Sequence, residues 1–158
     1  MQIKNIIQED FSNYKTCSMF IGFPSCTWKC ERDCGRKGLC QNAVLATSPS
    51  IEISVEDLLN LYLSNPLSHA LVCGGLEPFD SWIDLVELVT RFREKTDDPI
   101  VIFTGYNKEE IKHKVHDLSL FKNIIVKFGR FIPDQEPHYD EILGISLASQ
   151  NQYAERIS

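Results

Sequence analysis

Long apolar segments are missing from this sequence. No run of nonpolar residues approaches the roughly 18 to 20 that a membrane-spanning helix requires. The first ten residues, which include Glu9 and Asp10, lack the apolar stretch of a signal peptide. We therefore expect no membrane partner and a cytoplasmic location.

An excess of positive charge is also missing. The 158 residues include 16 Lys and Arg against 22 Asp and Glu, which gives a net charge of -6. Proteins that bind nucleic acid usually carry a basic stripe along the phosphates, so we expect no nucleic-acid partner. Internal repeats and low-complexity segments are absent as well, and the length suits one hydrophobic core. The sequence therefore predicts a single domain that spans residues 1–158.

A distant second pair of metal ligands is the third absence. Four of the six cysteines lie in one loop, at positions 26, 30, 34 and 40. In a reducing compartment such crowding indicates a metal or catalysis before disulfides. Thiolates hold tetrahedral zinc or an iron-sulfur cluster, and structural zinc sites usually place a second Cys or Cys/His pair well downstream. No such pair follows here, but the spacing alone leaves both metals open.

Apolar runs alternate with segments of helical periodicity along most of the chain. The sequence predicts strands at 3–7, 19–23, 69–73, 99–104, 123–128 and 142–147. It predicts helices from Ser54 to about residue 65, from Asp80 or Ser81 to about residue 92, and from 108 to 116. This alternation predicts an α/β fold in which a parallel sheet is joined by right-handed crossovers.

Three unusual loops follow predicted strands. The cysteine loop comes after Phe23, a Gly-Gly-Leu-Glu loop comes after Cys73, and a Thr-Gly-Tyr turn begins at Thr104. In parallel sheets, ligands bind beyond the carboxyl ends of the strands. We therefore expect these three segments to meet at one edge of the sheet.

The order of residues in the cysteine loop resembles that of a known family. Cys26-Thr-Trp-Lys-Cys30 is followed later by Cys40-Gln-Asn. This pattern resembles the loop of the radical S-adenosylmethionine (SAM) enzymes, and among them the small activating proteins of anaerobic ribonucleotide reductase. Their loop reads Cys-x3-Cys-x2-Cys and often continues with Gln-Asn or Tyr-Asn. The present loop has extra residues between Cys30 and Cys40, and Cys34 lies among them.

Two further motifs carry the same resemblance. The segment 74–78, Gly-Gly-Leu-Glu-Pro, resembles the family's Gly-Gly-Glu-Pro motif with one inserted Leu, and Thr-Gly-Tyr resembles the end of its next strand. Glycines let the backbone approach a ligand closely, and their carbonyls, together with a carboxylate, accept hydrogen bonds from an ammonium group. By resemblance, the residues that bind the cofactor are Gly74, Gly75, Glu77 and Thr104.

The resemblance also implies a fold and a metal centre. The fold is an incomplete, parallel β/α barrel, and residues 24–42 form its cluster-binding loop. Cys26, Cys30 and Cys40 then bind three irons of a [4Fe-4S] cluster, because Gln-Asn follows Cys40 as it follows the family's third cysteine. If Cys34 is the third ligand instead, Cys40 is the spare thiol. In both cases one iron lacks a protein thiolate and is open to the amino and carboxylate groups of SAM.

An activity and partners follow from the same resemblance, which runs from about residue 6 to residue 152. The resemblance implies an oxidoreductase in which an electron from the cluster cleaves SAM to a 5'-deoxyadenosyl radical. This radical then takes a hydrogen atom from a glycine of a partner such as anaerobic ribonucleotide reductase. A flavodoxin or ferredoxin supplies the electron, and no catalytic residue is implied beyond the cluster ligands. The alternatives are a small-molecule radical SAM enzyme like the 7-carboxy-7-deazaguanine synthases, and a non-catalytic zinc or iron-sulfur module.

Overall fold

A six-stranded sheet organises the chain, and the computed structural model describes residues 1–158. The strands are β1 Gln2–Ile3, β2 Asn5–Asp10, β3 Ser18–Phe23, β4 Ile51–Glu52, β5 Leu71–Gly75, β6 Ile100–Phe103, β7 Ile124–Phe128, β8 His138–Asp140, β9 Ile145–Leu147 and β10 Tyr153–Arg156. Six of them form the central sheet in the order β10-β7-β6-β5-β3-β2. The strands β3, β5, β6 and β7 are parallel, whereas β2 and β10 pair antiparallel at the two edges. The predicted α/β class is therefore confirmed, with a sheet that is mostly parallel.

Helices connect these strands. They are α1 Lys29–Cys34, α2 Ala43–Thr47, α3 Val55–Ser64, α4 Trp82–Arg93 and α5 Lys112–Ser119. Two 3-10 turns, Pro78–Ser81 and Lys108–Ile111, lead into α4 and α5. No helix has both the length and the apolar character that crossing a membrane would require.

Local capping explains where the helices begin. The Ser54 hydroxyl accepts a hydrogen bond from the Asp57 amide at 3.0 Å, so α3 begins where the sequence predicts. The sequence also places a cap at Asp80 or Ser81, but Ser81 makes no side-chain hydrogen bond at the start of α4. Instead, Glu77 caps the 3-10 turn that precedes this helix. Helical structure therefore begins a few residues earlier than the pattern of apolar residues indicates.

The two faces of the sheet are covered differently. On one face lie α3, α4 and α5, which contribute buried side chains such as Leu58, Leu88 and Leu118. The other face packs against the segment that holds β8 and β9, through Leu143 and Leu147. Because both faces are covered, every residue of β3 is buried, and the strand has no alternation of polar and apolar residues.

One predicted strand has a different place in the structure. The apolar run at 142–147 predicts a strand of the main sheet, but only its last three residues are extended, and they pair with β8 in a separate hairpin. The first part is a turn, because the amides of Ile142 and Leu143 donate hydrogen bonds to Oδ1 of Asp140 at 3.0 and 2.9 Å. These hydrogen bonds to the Asp140 carboxylate therefore prevent the first part of the apolar run from forming a strand.

The helix α4 offers a matched pair of apolar residues for testing the packing. Its periodicity places both Ile83 and Leu85 at apolar positions, but Ile83 is 82% exposed and Leu85 is fully buried. Leu85→Ala should lower the free energy of unfolding by about 2–5 kcal/mol, because it leaves a cavity. Ile83→Ala should change it by less than about 0.5 kcal/mol. Chemical denaturation followed by circular dichroism measures both, and equal losses would contradict this packing.

Candidate functional site

The carboxyl ends of the parallel strands surround a cavity of about 350 Å³. It lies on the side of the sheet away from the helices, because Phe20, Phe103 and Leu147 in its walls belong to the core of that side. All the residues that the sequence predicts for the metal and the cofactor line it: Cys26, Cys30, Cys40, Gly74, Gly75, Glu77 and Thr104. The three loops expected to meet at this edge do meet there. The volume falls within the range of roughly 300–1,000 Å³ that is usual for small-molecule sites.

The cysteine loop contributes three of its four thiols to the cavity. Trp28, with a left-handed φ of 57°, precedes α1, and α1 carries Cys30. Cys40 also lines the cavity, whereas Cys34, at the end of α1, does not. The structure thus groups Cys40, and not Cys34, with the first two cysteines.

The three cavity thiols are donors of the kind that bind zinc or an iron-sulfur cluster. As they stand in the structure, no three or more His, Cys, Asp and Glu side chains form a group that could hold a metal ion. Burial raises the pKa of the Cys26 thiol to about 11 and also raises the pKa of Cys30. Metal binding at these two residues therefore releases protons.

Glu77 joins two of the loops around the cavity. Its Oε1 accepts hydrogen bonds from the Phe79 amide at 3.1 Å and the Thr104 hydroxyl at 2.8 Å, and its Oε2 accepts one from the Gly105 amide at 2.9 Å. Burial raises the pKa of this carboxyl to about 7. A carboxylate has about four acceptor positions, so three are used within the chain. Glu77 therefore holds the β5 loop against the β6 turn and keeps about one position for a ligand.

The two glycines of the β5 loop lie against β3. Gly75 has a φ of 79°, and a Cβ there would lie 2.8 Å from the Cα of Gly22. At Gly74 a Cβ would lie 2.9 Å from Cε2 of Phe20. Both positions thus exclude a larger side chain for reasons of packing. This requirement exists in addition to any contact of the glycines with a ligand.

Hydrogen bonds hold both ends of the cysteine loop. Near its start, the Thr27 amide donates to Oδ2 of Asp80 at 2.8 Å. Near its end, Nδ2 of Asn42 donates to the Gly75 carbonyl at 2.5 Å. Asn42, the second residue after Cys40, therefore ties the end of the cysteine loop to the β5 loop.

A cluster of charged residues, which we name the loop clamp, fixes α1 to the rest of the fold. It consists of Lys29, Asp33, Glu110 and Arg130. Arg130 pairs with Glu110 at 2.6 Å and with Asp33 at 2.7 Å, and Lys29 pairs with Glu110 at 3.1 Å. The hydrogen bonds from Arg130 lower the pKa of Glu110 to about 2. No sequence motif indicated this cluster, because its members are far apart along the chain.

Lys127 is a further cavity residue that the motifs do not single out. It lies in β7, is only 6% exposed, and donates from Nζ to the Gly129 carbonyl at 2.9 Å. Burial lowers the pKa of its ammonium group to about 8. The signal in the sequence is a lysine inside the otherwise apolar run Ile-Ile-Val-Lys-Phe, since lysine is almost never buried without a partner.

Comparison with known proteins agrees with this donor set. The family described as "4Fe-4S single cluster domain" matches residues 15–152, which include all four loop cysteines and the whole cavity lining from Cys26 onward. No curated protein and no solved structure matches the chain. The match covers most of the sequence and indicates an iron-sulfur cluster as the metal centre. The chain therefore belongs to the family of 4Fe-4S single cluster domains.

Proposed function

We propose that this protein is a radical SAM enzyme, with an incomplete β/α barrel as its fold and a cavity that binds SAM. The observation that carries the proposal is the division of the loop thiols. Cys26, Cys30 and Cys40 line the cavity, whereas Cys34 does not. Three thiolates account for three irons of a [4Fe-4S] cluster and leave the fourth free for a ligand. A cluster held by four thiolates would carry electrons but would have no such position.

The cluster and the chain have separate tasks in this mechanism. When bound and reduced, the cluster supplies the electron that cleaves SAM to methionine and a 5'-deoxyadenosyl radical. Glu77 keeps the β5 loop and the β6 turn in place through its three hydrogen bonds. Gly74 and Gly75 let the β5 loop pack closely against β3 at the cavity wall. Phe20 and Phe103 form an apolar part of the cavity wall.

A protein partner is the substrate that we propose. Phe11 and Val44 are 69% and 85% exposed, and each lies close in sequence to a residue that lines the cavity, Ser12 and Asn42 respectively. A protein that docks over the cavity would cover these two side chains. The substrate would be a glycine of an enzyme such as anaerobic ribonucleotide reductase, with a flavodoxin or ferredoxin as electron donor.

The assignment of the third cysteine predicts the behaviour of two variants. After anaerobic reconstitution with iron and sulfide and reduction in the presence of SAM, the wild-type protein should form 5'-deoxyadenosine. Cys34→Ala should retain this activity, because Cys34 lies outside the cavity lining. Cys40→Ala should lose it, because only two cavity thiols remain. Chromatography of the reaction products measures the nucleoside.

Two results would contradict the proposal in different ways. Loss of activity in Cys34→Ala with full activity in Cys40→Ala would show that the ligand set is wrong. A wild-type protein that holds a reducible cluster but never cleaves SAM would instead indicate an electron-transfer module.

The glycine substrate predicts a paramagnetic product. Incubation of the reduced, SAM-loaded protein with an anaerobic ribonucleotide reductase should give the electron paramagnetic resonance signal of a glycyl radical on that partner. Formation of 5'-deoxyadenosine without this signal would favour a small-molecule substrate, as in the 7-carboxy-7-deazaguanine synthases.

The loop clamp predicts that Glu110 affects cluster retention. Glu110→Gln removes the charge that pairs with Arg130 and Lys29, so α1 and its Cys30 should be held less firmly. We expect a loss of about 1–2 kcal/mol in the free energy of unfolding, a modest value because the Glu110 side chain is 31% exposed. A chelator should also remove the cluster faster, as measured by its visible absorbance.

The neighbouring acid provides the control for this prediction. Glu109 is exposed and forms no ion pair in the structure, so Glu109→Gln should match the wild-type protein in both measurements. Equal effects of the two substitutions would mean that net charge, and not the loop clamp, controls retention.

A further inference from the structure

Each of the three cavity thiols has a backbone N–H group as its hydrogen-bond partner. For Cys26 and Cys40 the donor is the amide two residues further along the same loop, at 3.2 and 3.4 Å from the sulfur. The donor to Cys30 is the Phe131 amide, which comes from the segment after β7. Phe131 lines the cavity together with these cysteines. One thiol of the set is therefore held by a part of the chain outside the cysteine loop.

The peptide group that carries this distant N–H is also held through its oxygen. That oxygen is the Arg130 carbonyl, which accepts hydrogen bonds from Nδ2 of Asn151 at 2.9 Å and from Oγ of Ser149 at 3.4 Å. The Ser149 hydroxyl in turn accepts a hydrogen bond from the Ile132 amide at 3.2 Å. A chain of hydrogen bonds therefore runs from Asn151 through one peptide group to the sulfur of Cys30.

Linked hydrogen bonds of this kind affect the charge at the sulfur. A donor to the C=O of a peptide group makes the N–H of the same group a stronger donor, because the two bonds polarise each other. Reduction adds negative charge to an iron-sulfur cluster, and N–H groups that point at its sulfur ligands stabilise that charge. Such hydrogen bonds therefore raise the reduction potential of a cluster.

We propose that Asn151 is a positioning residue for the metal centre, and that it raises the reduction potential of the cluster through the peptide group between Arg130 and Phe131. The loop clamp supports this inference, because Arg130 also pairs with Asp33 of α1, the helix that carries Cys30. The donor and the acceptor of the N–H to sulfur contact are thus fixed to each other. The inference goes beyond the proposed function, since it requires the iron-sulfur cluster but not the cleavage of SAM.

The neighbouring residue provides a matched control for a substitution of Asn151. Gln150 is also exposed and carries the same kind of amide, but its Nε2 donates to the Glu136 carbonyl at 2.7 Å. Asn151→Ala and Gln150→Ala each remove one neutral side-chain amide and one hydrogen bond to a backbone carbonyl. Neither changes the net charge. Only the first affects the peptide group that faces Cys30.

Anaerobic redox titration of the cluster-loaded proteins, followed by visible absorbance, measures the effect. At a fixed applied potential, Asn151→Ala should lower the ratio of reduced to oxidised cluster by about threefold, which is roughly 30 mV for one electron. Gln150→Ala should match the wild-type protein. Phenyllactic acid in place of Phe131 keeps the side chain but lacks the N–H, and it should lower the ratio by about tenfold, which is roughly 60 mV.

The possible results separate this inference from the proposed function. A wild-type potential in Asn151→Ala overturns the inference, and so does an equal shift in Gln150→Ala. A lower unfolding temperature of Asn151→Ala without a shift in potential would assign Asn151 to the fold alone. If the expected shifts occur in a protein that never cleaves SAM, the proposed function fails and the inference stands. A protein that holds no cluster after reconstitution would overturn both.

Discussion

The parallel pairing of β3, β5, β6 and β7 determines where the site of this protein lies. Parallel neighbours all end on the same side of a sheet, so the loops that leave them begin next to one another. Cys26 and Lys127 are far apart along the chain, yet they line the same cavity. The bonds of Glu77 to Thr104 and Gly105 then lock two adjacent loops together. The shape of the cavity therefore depends on backbone pairing first and on side chains second.

The predictable parts of the structure are those encoded in local patterns. Buried strands appear as apolar runs that end at Gly or Pro, and helices between them imply parallel order. For this reason the meeting of Cys26, Glu77 and Thr104 at one edge follows from the sequence. The family resemblance supplied the preference for Cys40 over Cys34, and the position of Asn42 against Gly75 gives that preference a physical basis.

The parts that escape prediction depend on partners distant in sequence. Nothing near Arg130 in the chain indicates that Asp33 and Glu110 surround it. The strand β10 is short and rich in polar residues, and it is extended because it pairs with β7 and not because of its own propensity. Lys127 is an unusual residue within an apolar strand, but nothing in the sequence indicates that it lies in the same cavity as the cysteine loop. Packing and charge pairing decide these features at the level of the whole fold.

The segment between Cys30 and Cys40 differs from the rest of the cysteine loop in how far its length can change. Residues 31–39 do not line the cavity, while hydrogen bonds of Thr27 and Asn42 anchor the loop on either side of them. Residues 35–39 belong neither to the cavity lining nor to the loop clamp, whereas Glu31 and Asp33 hold the first part of the segment through bonds to Cys40 and Arg130. A change of length is therefore tolerated best after Cys34, where the chain can present a new surface to a partner without disturbing the cavity.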